Sequence, residues 1–450
     1  MPFRKDFVWG AAAASYQVEG AAAADGKGPS VWDEMCRVPG RIWQGQTGQV
    51  ACDHYHRHAE DVALMKQIGL MAYRLSISWP RVMPEGVGPV NDKGLAFYDK
   101  LVDELLAAGI QPWVTLFHWD YPYALYCRGG WLNPASSDWF AEYTRAVVEK
   151  LSDRVRHWMT LNEPQCFIDL GHRSGVHAPG LKLGMADALL ATHNVLLAHG
   201  KGVQAIRASS KRNCQVGYAP VGRGRHPASD SPADIEAARQ ATFMVWADHL
   251  FSNTWWSDPI LLGRYPEDGL KLYAKDMPAV AAGDMETICQ PLDFYGVNYY
   301  SGAPVRAGKD GRPEEVEHPD GHPQTAIRWF VTPEGLYWLA RFLHQRYGKP
   351  IVITENGMSN IDWVATDGKV HDPQRIDFTR RYLLQLKRAA EDGVDVRGYF
   401  HWSIMDNFEW AEGYKERFGL IYVDYPTGKR TPKDSAWWYA EVIKSNGENL

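Results

Sequence analysis

Short apolar runs alternate with longer segments of helical period from one end of this 450-residue chain to the other, and few folds accommodate that order. The strand-like runs are Phe7–Ala14, Met71–Trp79, Ile110–Trp119, His157–Asn162, Cys214–Val221, Asp293–Tyr300, Ile351–Thr354 and Val396–Trp402. Between them, Arg57–Ile68, Asn91–Ala108, Ser137–Leu151, Met185–Ala208, Ile235–Phe251 and Asp377–Asp392 repeat apolar residues at helical spacing. The run from Ile351 to Thr354 is β-branched and apolar on both alternating faces, as in a strand covered on both sides. Eight such alternations predict an α/β fold: a single (β/α)8 TIM barrel with long loops over its C-terminal face. A length of 450 residues allows about three domains, but no shift in composition divides the chain. Barrels with insertions commonly exceed about 400 residues, so 1–450 is read as one domain. Two stretches depart from the alternation. Gly302–Gln324, rich in Gly, Pro and charge, reads as a long loop. Met405–Lys433 is too long for a simple turn and reads as a wall over the barrel mouth.

In a barrel of this kind the functional groups sit at the C-terminal ends of the strands. The residues there are Gln17, Arg74, His118, Trp119, Asn162, Glu163, Asn298, Tyr300, Glu355 and Trp402. A carboxylate at the end of a buried strand is costly unless something there uses it, and both Glu163 (in TLNEP) and Glu355 (in ITENG) hold such positions. Two facing carboxyls suit cleavage of a glycosidic bond, where one attacks or activates water and the other protonates the departing oxygen. The 19 Trp, 22 Tyr and 15 Phe supply faces on which sugar rings stack.

These blocks resemble glycoside hydrolase family 1, the β-glucosidase family. The resemblance runs from FVWGAAAASYQVEGA through GPSVWD, ISWPR, LFHWD, TLNEP, HAPG, VNYY, TPEGLY, ITENG and HWSIMDNFEWAEGYKERFGL to AWWYAEVI. It implies a retaining, double-displacement β-glucosidase, with Glu355 as nucleophile and Glu163 as general acid and then base. Arg74, Tyr300 and Asn298 would serve that pair. Gln17, His118, Trp119, Asn162, Glu409 and Trp410 would bind the sugar hydroxyls, with Trp402 as stacking platform and Phe418 and Trp329 beside the substrate. The implied substrates are β-glucosides such as cellobiose and aryl or plant glucosides, with galactosides and fucosides tolerated. No cofactor and no metal are expected. Taken alone, His118 would be read as a satisfied core histidine; its LFHWD context reverses that reading.

Two other readings stand beside this one: a 6-phospho-β-glycosidase on the same scaffold, and a catalytically inactive sugar-binding barrel. A binding module has no need of both glutamates with Arg74 and Tyr300. A thioglucosidase would lack the acid/base glutamate, and Glu163 is present. In the phospho-specific relatives Ser, Lys and Tyr hold the phosphate, where this chain has Glu409, Glu416 and Phe418; a phosphate facing Glu409 is expected to meet like-charge repulsion. The chain also departs from the family at Tyr121, Gln165, Cys166, His172 and Arg328. Several of these positions are expected at the aglycone entrance, altering leaving-group preference only.

A net charge of −6 without a basic stripe argues against nucleic acid. No apolar stretch reaches the length of a membrane span, and MPFRKDFVWG has no signal-peptide core. Cys36, Cys52, Cys127, Cys166, Cys214 and Cys289 lack CxxC spacing and read as reduced thiols of a cytoplasmic protein. His54, His56 and His58 in DHYHRH suggest a metal at first sight, but no third ligand of the right spacing accompanies the pair at His54 and His58.

Overall fold

A computed structural model describes residues 2–450. Its central element is a sheet of eight parallel strands: β1 Val8–Ala12, β2 Ala72–Ser76, β3 Gln111–Phe117, β4 His157–Asn162, β5 Gln215–Ala219, β6 Tyr295–Asn298, β7 Ile351–Asn356 and β8 Val396–Trp402. They pair in the order β5-β4-β3-β2-β1-β8-β7-β6, the chain order wrapped into a ring. Between β5 and β6 the ring is joined by isolated bonds: Asp293 N–H to the Val216 carbonyl at 2.8 Å, and Gly222 N–H to the Asn298 carbonyl at 2.8 Å. The result is a nearly closed (β/α)8 barrel with helices between the strands.

The inward positions follow the two-residue period of a strand. Ala72, Trp113 and Val352 fill the lower interior with Ala12, Met159, Ala219, Phe294 and Phe400. Large rings face small alanines, and the Trp113 ring lies 5.5 Å from Phe294 and 5.0 Å from Phe400. Burying each of the larger side chains, such as Val352, Met159 or Phe400, contributes about 1.5–3 kcal/mol. Two residues further along, the same strands present Arg74, Thr115 and Thr354, all buried. An apolar plug therefore supports a polar layer, and that layer is the floor of the mouth.

Strict alternation would send Glu355 to the same side as Ile353, which packs in the large cluster shared with the helices. The pairing of β7 shifts register between Ile353 and Glu355 on the β6 side, and between Ile353 and Asn356 on the β8 side. β4 shifts likewise between Met159 and Asn162. Such irregularities re-aim side chains at strand ends. Gly357 completes the turn: a Cβ there would lie 1.9 Å from the Trp402 carbonyl oxygen. Only glycine lets the ends of β7 and β8 approach so closely.

Three segments differ from the sequence expectation. Gly302–Ala307 and Pro313–Glu315 are strands, joined with Gly224–Pro227 into a three-stranded sheet, where a loop was expected. Their prolines read as breakers, yet short edge strands tolerate proline. The helix expected over Ile235–Phe251 ends at Phe243, and a second begins at Asn253, capped by Ser252 accepting from Trp255 N–H. Asp169 takes the Leu250 N–H at 3.1 Å, so a tertiary contact replaces helical bonding there. Pro333–Tyr347 forms a long helix that the periodicity reading did not single out. The segment after β8 folds into a hairpin, Ile421–Asp424 with Lys429–Pro432, and buried Lys433 ties it to Asp406 at 2.7 Å and Asp362 at 2.6 Å.

Candidate active site

The two glutamates sit in unequal company. Arg74, from β2, donates to Glu355 Oε1 at 2.5 Å, and the Tyr300 hydroxyl donates to Glu355 Oε2 at 2.7 Å. The same guanidinium donates to Asn162 Oδ1 at 2.6 Å and to Thr115 Oγ1 at 3.1 Å. Among the described residues no cation is bonded to Glu163: Asn298 Nδ2 donates to its Oε1 at 2.9 Å, and the Cys166 thiol to its Oε2 at 3.2 Å. Asn298 is itself oriented by Thr354 Oγ1, which donates to its Oδ1 at 2.6 Å. Glu163 has a φ of 45°, and its N–H is held by the Ala219 carbonyl at 2.8 Å. Left-handed backbone at a non-glycine residue costs about 1–3 kcal/mol and persists where surrounding structure enforces it, often at functional sites.

These surroundings set the proton affinities. Burial, and then the charge of Glu355, push Glu163 up to about 8 against the Asn298 and Cys166 donors. Burial also raises Glu355, opposed first by Arg74 and then by Tyr300. One carboxyl is thus arranged to keep a proton and the other to lose it, the separation that acid–base division of labour requires. His118 is driven well below its ordinary value by burial and by Arg74. Its ring is therefore neutral, and Nε2 accepts from Asn162 Nδ2 at 2.9 Å.

A cavity of about 190 Å³ opens over the pair, lined by His118, Trp119, Glu163, Tyr300, Trp329, Glu355, Trp402, Glu409, Trp410 and Phe418 among others. Trp402 faces His118 with ring centroids 5.7 Å apart, and Trp410 lies 4.6 Å from both Trp119 and Trp32. Trp329, at the mouth, is 37% exposed and lies 5.1 Å from the Tyr300 ring. Gln17 Nε2 donates to Asn407 Oδ1 at 2.9 Å and to Glu409 Oε2 at 3.2 Å, while its Oε1 is buried with no partner among the described residues. Burial beside Glu355, Glu163 and Glu416 pushes Glu409 up to about 8. Gln17, Arg74, Asn162 and Asn298 lie behind this lining, bonded to groups that form it. The expected site residues therefore converge on one cavity and the layer beneath it. A larger groove of about 570 Å³, beside His322 and Phe378, contains neither glutamate.

Several departures from the family were expected at the entrance, but Gln165, Tyr121 and His172 do not line the cavity. Gln165 is buried and exchanges two bonds of 3.2 Å with the backbone of Val221, so it ties the end of β4 to the chain beyond β5. Tyr121 is buried in an aromatic cluster, its ring 4.8 Å from Trp131. Buried His172 has its Nδ1 at 2.8 Å from the Phe167 carbonyl. Of the departures from the family, Cys166 lines the cavity, and Arg328 adjoins Trp329 with a φ of 65°. Sequence reasoning missed Thr115, Thr354 and Asn407, which orient the site; the signal was their place in the quoted blocks, Thr115 just before LFHWD, Thr354 in ITENG and Asn407 in the block that begins HWSIMDNFEW. The three histidines of DHYHRH part company: His54 pairs with Asp61, His56 with Asp53 and His58 with Glu104. No group of three or more His, Cys, Asp or Glu suited to a metal occurs among the described residues. No helix among them is long and apolar enough to cross a membrane.

Two buried carboxyls of unequal proton affinity, at the strand ends of a (β/α)8 barrel beneath an aromatic cleft, define a glycosidase, a hydrolase of glycosidic bonds. The chain belongs to glycosyl hydrolase family 1, whose sequence profile matches residues 1–448. It is 46% identical over 448 residues to β-glucosidase A of Thermotoga maritima, covering 99% of this chain and 98% of that one. The solved structure of β-glucosidase from Thermotoga maritima in complex with glucoimidazole superposes with a TM-score of 0.91 at 44% identity, covering 99% of each chain. Aryl-phospho-β-D-glucosidase BglC of Bacillus subtilis is 39% identical over 482 residues, covering 100% of this chain and 98% of that one.

Proposed function

We propose that this protein is a retaining β-glucosidase that removes terminal β-D-glucosyl residues from small β-glucosides such as cellobiose and aryl or plant glucosides, acting in the cytoplasm. Glu355 attacks the anomeric carbon, and the C1–O bond breaks as Glu163 gives its proton to the departing oxygen. Water, deprotonated by Glu163, then displaces Glu355 and restores both groups. The observation that carries this division is the pairing of Glu355 with Arg74 and Tyr300, while only neutral donors reach Glu163. Asn162, held by Arg74 next to Glu163, is assigned to the sugar 2-hydroxyl, and Gln17, bonded to Glu409, to a further hydroxyl. Glu409 is the second hydroxyl partner and Trp402 the stacking face, with Trp329 and Phe418 beside the substrate in the same cavity. Six free cysteines support a reducing compartment.

For the rival phosphate reading, repulsion by a charged Glu409 is weaker than the sequence suggests, because that group is raised to about 8. The stronger objection is that no Lys or Arg among the described residues lines the cavity. A phosphate of charge near −2 would be desolvated there without a counter-ion, at a cost of several kcal/mol. Side-by-side assays of p-nitrophenyl β-glucoside and its 6-phosphate test this. Hydrolysis of the first and little of the second is expected, with Glu409→Ser severely reducing the first. Preference for the 6-phosphate would overturn the reading.

A further inference from the structure

The acid/base carboxyl has a partner that the roles above leave unused. Cys166 opens the helical turn after Glu163; its N–H bonds the Glu163 carbonyl at 2.9 Å, and its thiol, buried and lining the cleft, reaches Oε2 at 3.2 Å. Asn298 occupies the other oxygen, so Oε2 is the one free to carry the proton. We propose that Cys166 is a positioning residue for Glu163, its S–H aiming Oε2 and stabilising the carboxylate form in which Glu163 serves as base. This rests on the acid/base role proposed above.

The chemistry of sulfur suits both halves of the cycle. When Glu163 is protonated, sulfur is a weak acceptor and does not compete with the glycosidic oxygen for the proton. When Glu163 is ionised, the S–H is a donor to a charged acceptor, the stronger kind of hydrogen bond. The thiol itself stays protonated, because burial and the charge of Glu163 hold it well above its usual range. The other charged or titratable groups facing Glu163 are Arg74 from β2, Glu355 from β7, Tyr300 beyond β6 and Glu409 beyond β8; Asp169 faces Cys166 from its own helix. None of these donates to Oε2. Cys166 is the group whose removal leaves that oxygen without a partner.

The sign of the effect follows. Losing a donor to the ionised form raises the proton affinity of Glu163, so the alkaline limb of the kcat/KM profile should move up. For a weak neutral donor the shift should be about half a pH unit, roughly a threefold gain in relative rate one unit above the wild-type limb. The experiment compares profiles for p-nitrophenyl β-glucoside in wild type, Cys166→Ala and Cys166→Ser. The Ala variant should shift upward, and Ser, which keeps a donor, should stay at or below wild type. Cys166→Val, which retains bulk without a donor, substitutes if the Ala variant fails to fold and should behave as Ala does. An unmoved limb in Ala or Val, or equal shifts in Ala and Ser, overturns the proposal. Glu163→Gln separates the two ideas: it should abolish the limb, and a limb that survives refutes the acid role on which the proposal stands.

Discussion

Tyr300→Phe removes one hydroxyl and leaves the ring that packs against Trp329 and Phe418. What is lost is the 2.7 Å bond to Glu355 Oε2. A hydrogen bond to a charged group is worth about 1.5–3 kcal/mol net, and one pH unit corresponds to about 1.36 kcal/mol. Glu355 is 3% exposed, so solvent cannot replace the donor without opening the site. Arg74 remains on Oε1 and still favours the ionised form, which argues for the lower part of that range. Burial already raises Glu355, and losing Tyr300 raises it further, so the ionised fraction at a given pH falls. The acid limb of kcat/KM should therefore move up by about one unit, toward the value of about 8 held by Glu163. The bell narrows from its acid side while its alkaline limb stays in place. Well below the acid limb the loss should approach about tenfold, the ceiling for a shift of about one unit. Steady-state pH profiles with an aryl β-glucoside measure this directly. A profile that superimposes on the wild type, with kcat/KM within about twofold, would refute the claim that Tyr300 sustains the charge on Glu355.

Glu355→Ala should abolish turnover of every substrate, whereas Glu163→Ala should retain the first step for good leaving groups and regain speed in added azide; equal losses for all leaving groups without azide rescue would reverse the roles. NMR of the first product should show the β-anomer, as expected for carboxyls about 5–5.5 Å apart, and initial α-glucose would exclude double displacement. Gln165→Trp strips two buried bonds from Val221 and inserts bulk beside β5, so a stability loss of about 2–4 kcal/mol is expected in denaturant melts; an unchanged midpoint would return Gln165 to the cleft wall.

The eightfold alternation was legible because both periods are properties of the backbone. A strand shows its faces every two residues and a helix every three or four, wherever they are placed. The glutamates were legible for a different reason: each follows a buried apolar strand, where a charge demands an explanation. The Gly302–Gln324 region was misread because proline and glycine look alike in loops and in short edge strands. Gln165 was misplaced because nothing in TLNEPQC distinguishes a residue facing the cleft from one turned toward the Val221 backbone.

By itself, then, the sequence determined the barrel, the order of its strands and the identity of the residues at their ends. Tertiary structure alone decided which way those residues face and how tightly each proton is held. Alternation along β7 would put Glu355 beside Ile353; only the register shifts against β6 and β8 turn it toward Arg74. Glu163 and Glu355 are the same residue type at equivalent strand ends, and no local pattern distinguishes their proton affinities. The difference arises from Arg74, 281 positions from Glu355, and from the charge each carboxyl imposes on the other in a buried space. Electrostatic energy depends on distance and dielectric rather than on order along the chain, so it exists only once the ring has brought the strand ends together.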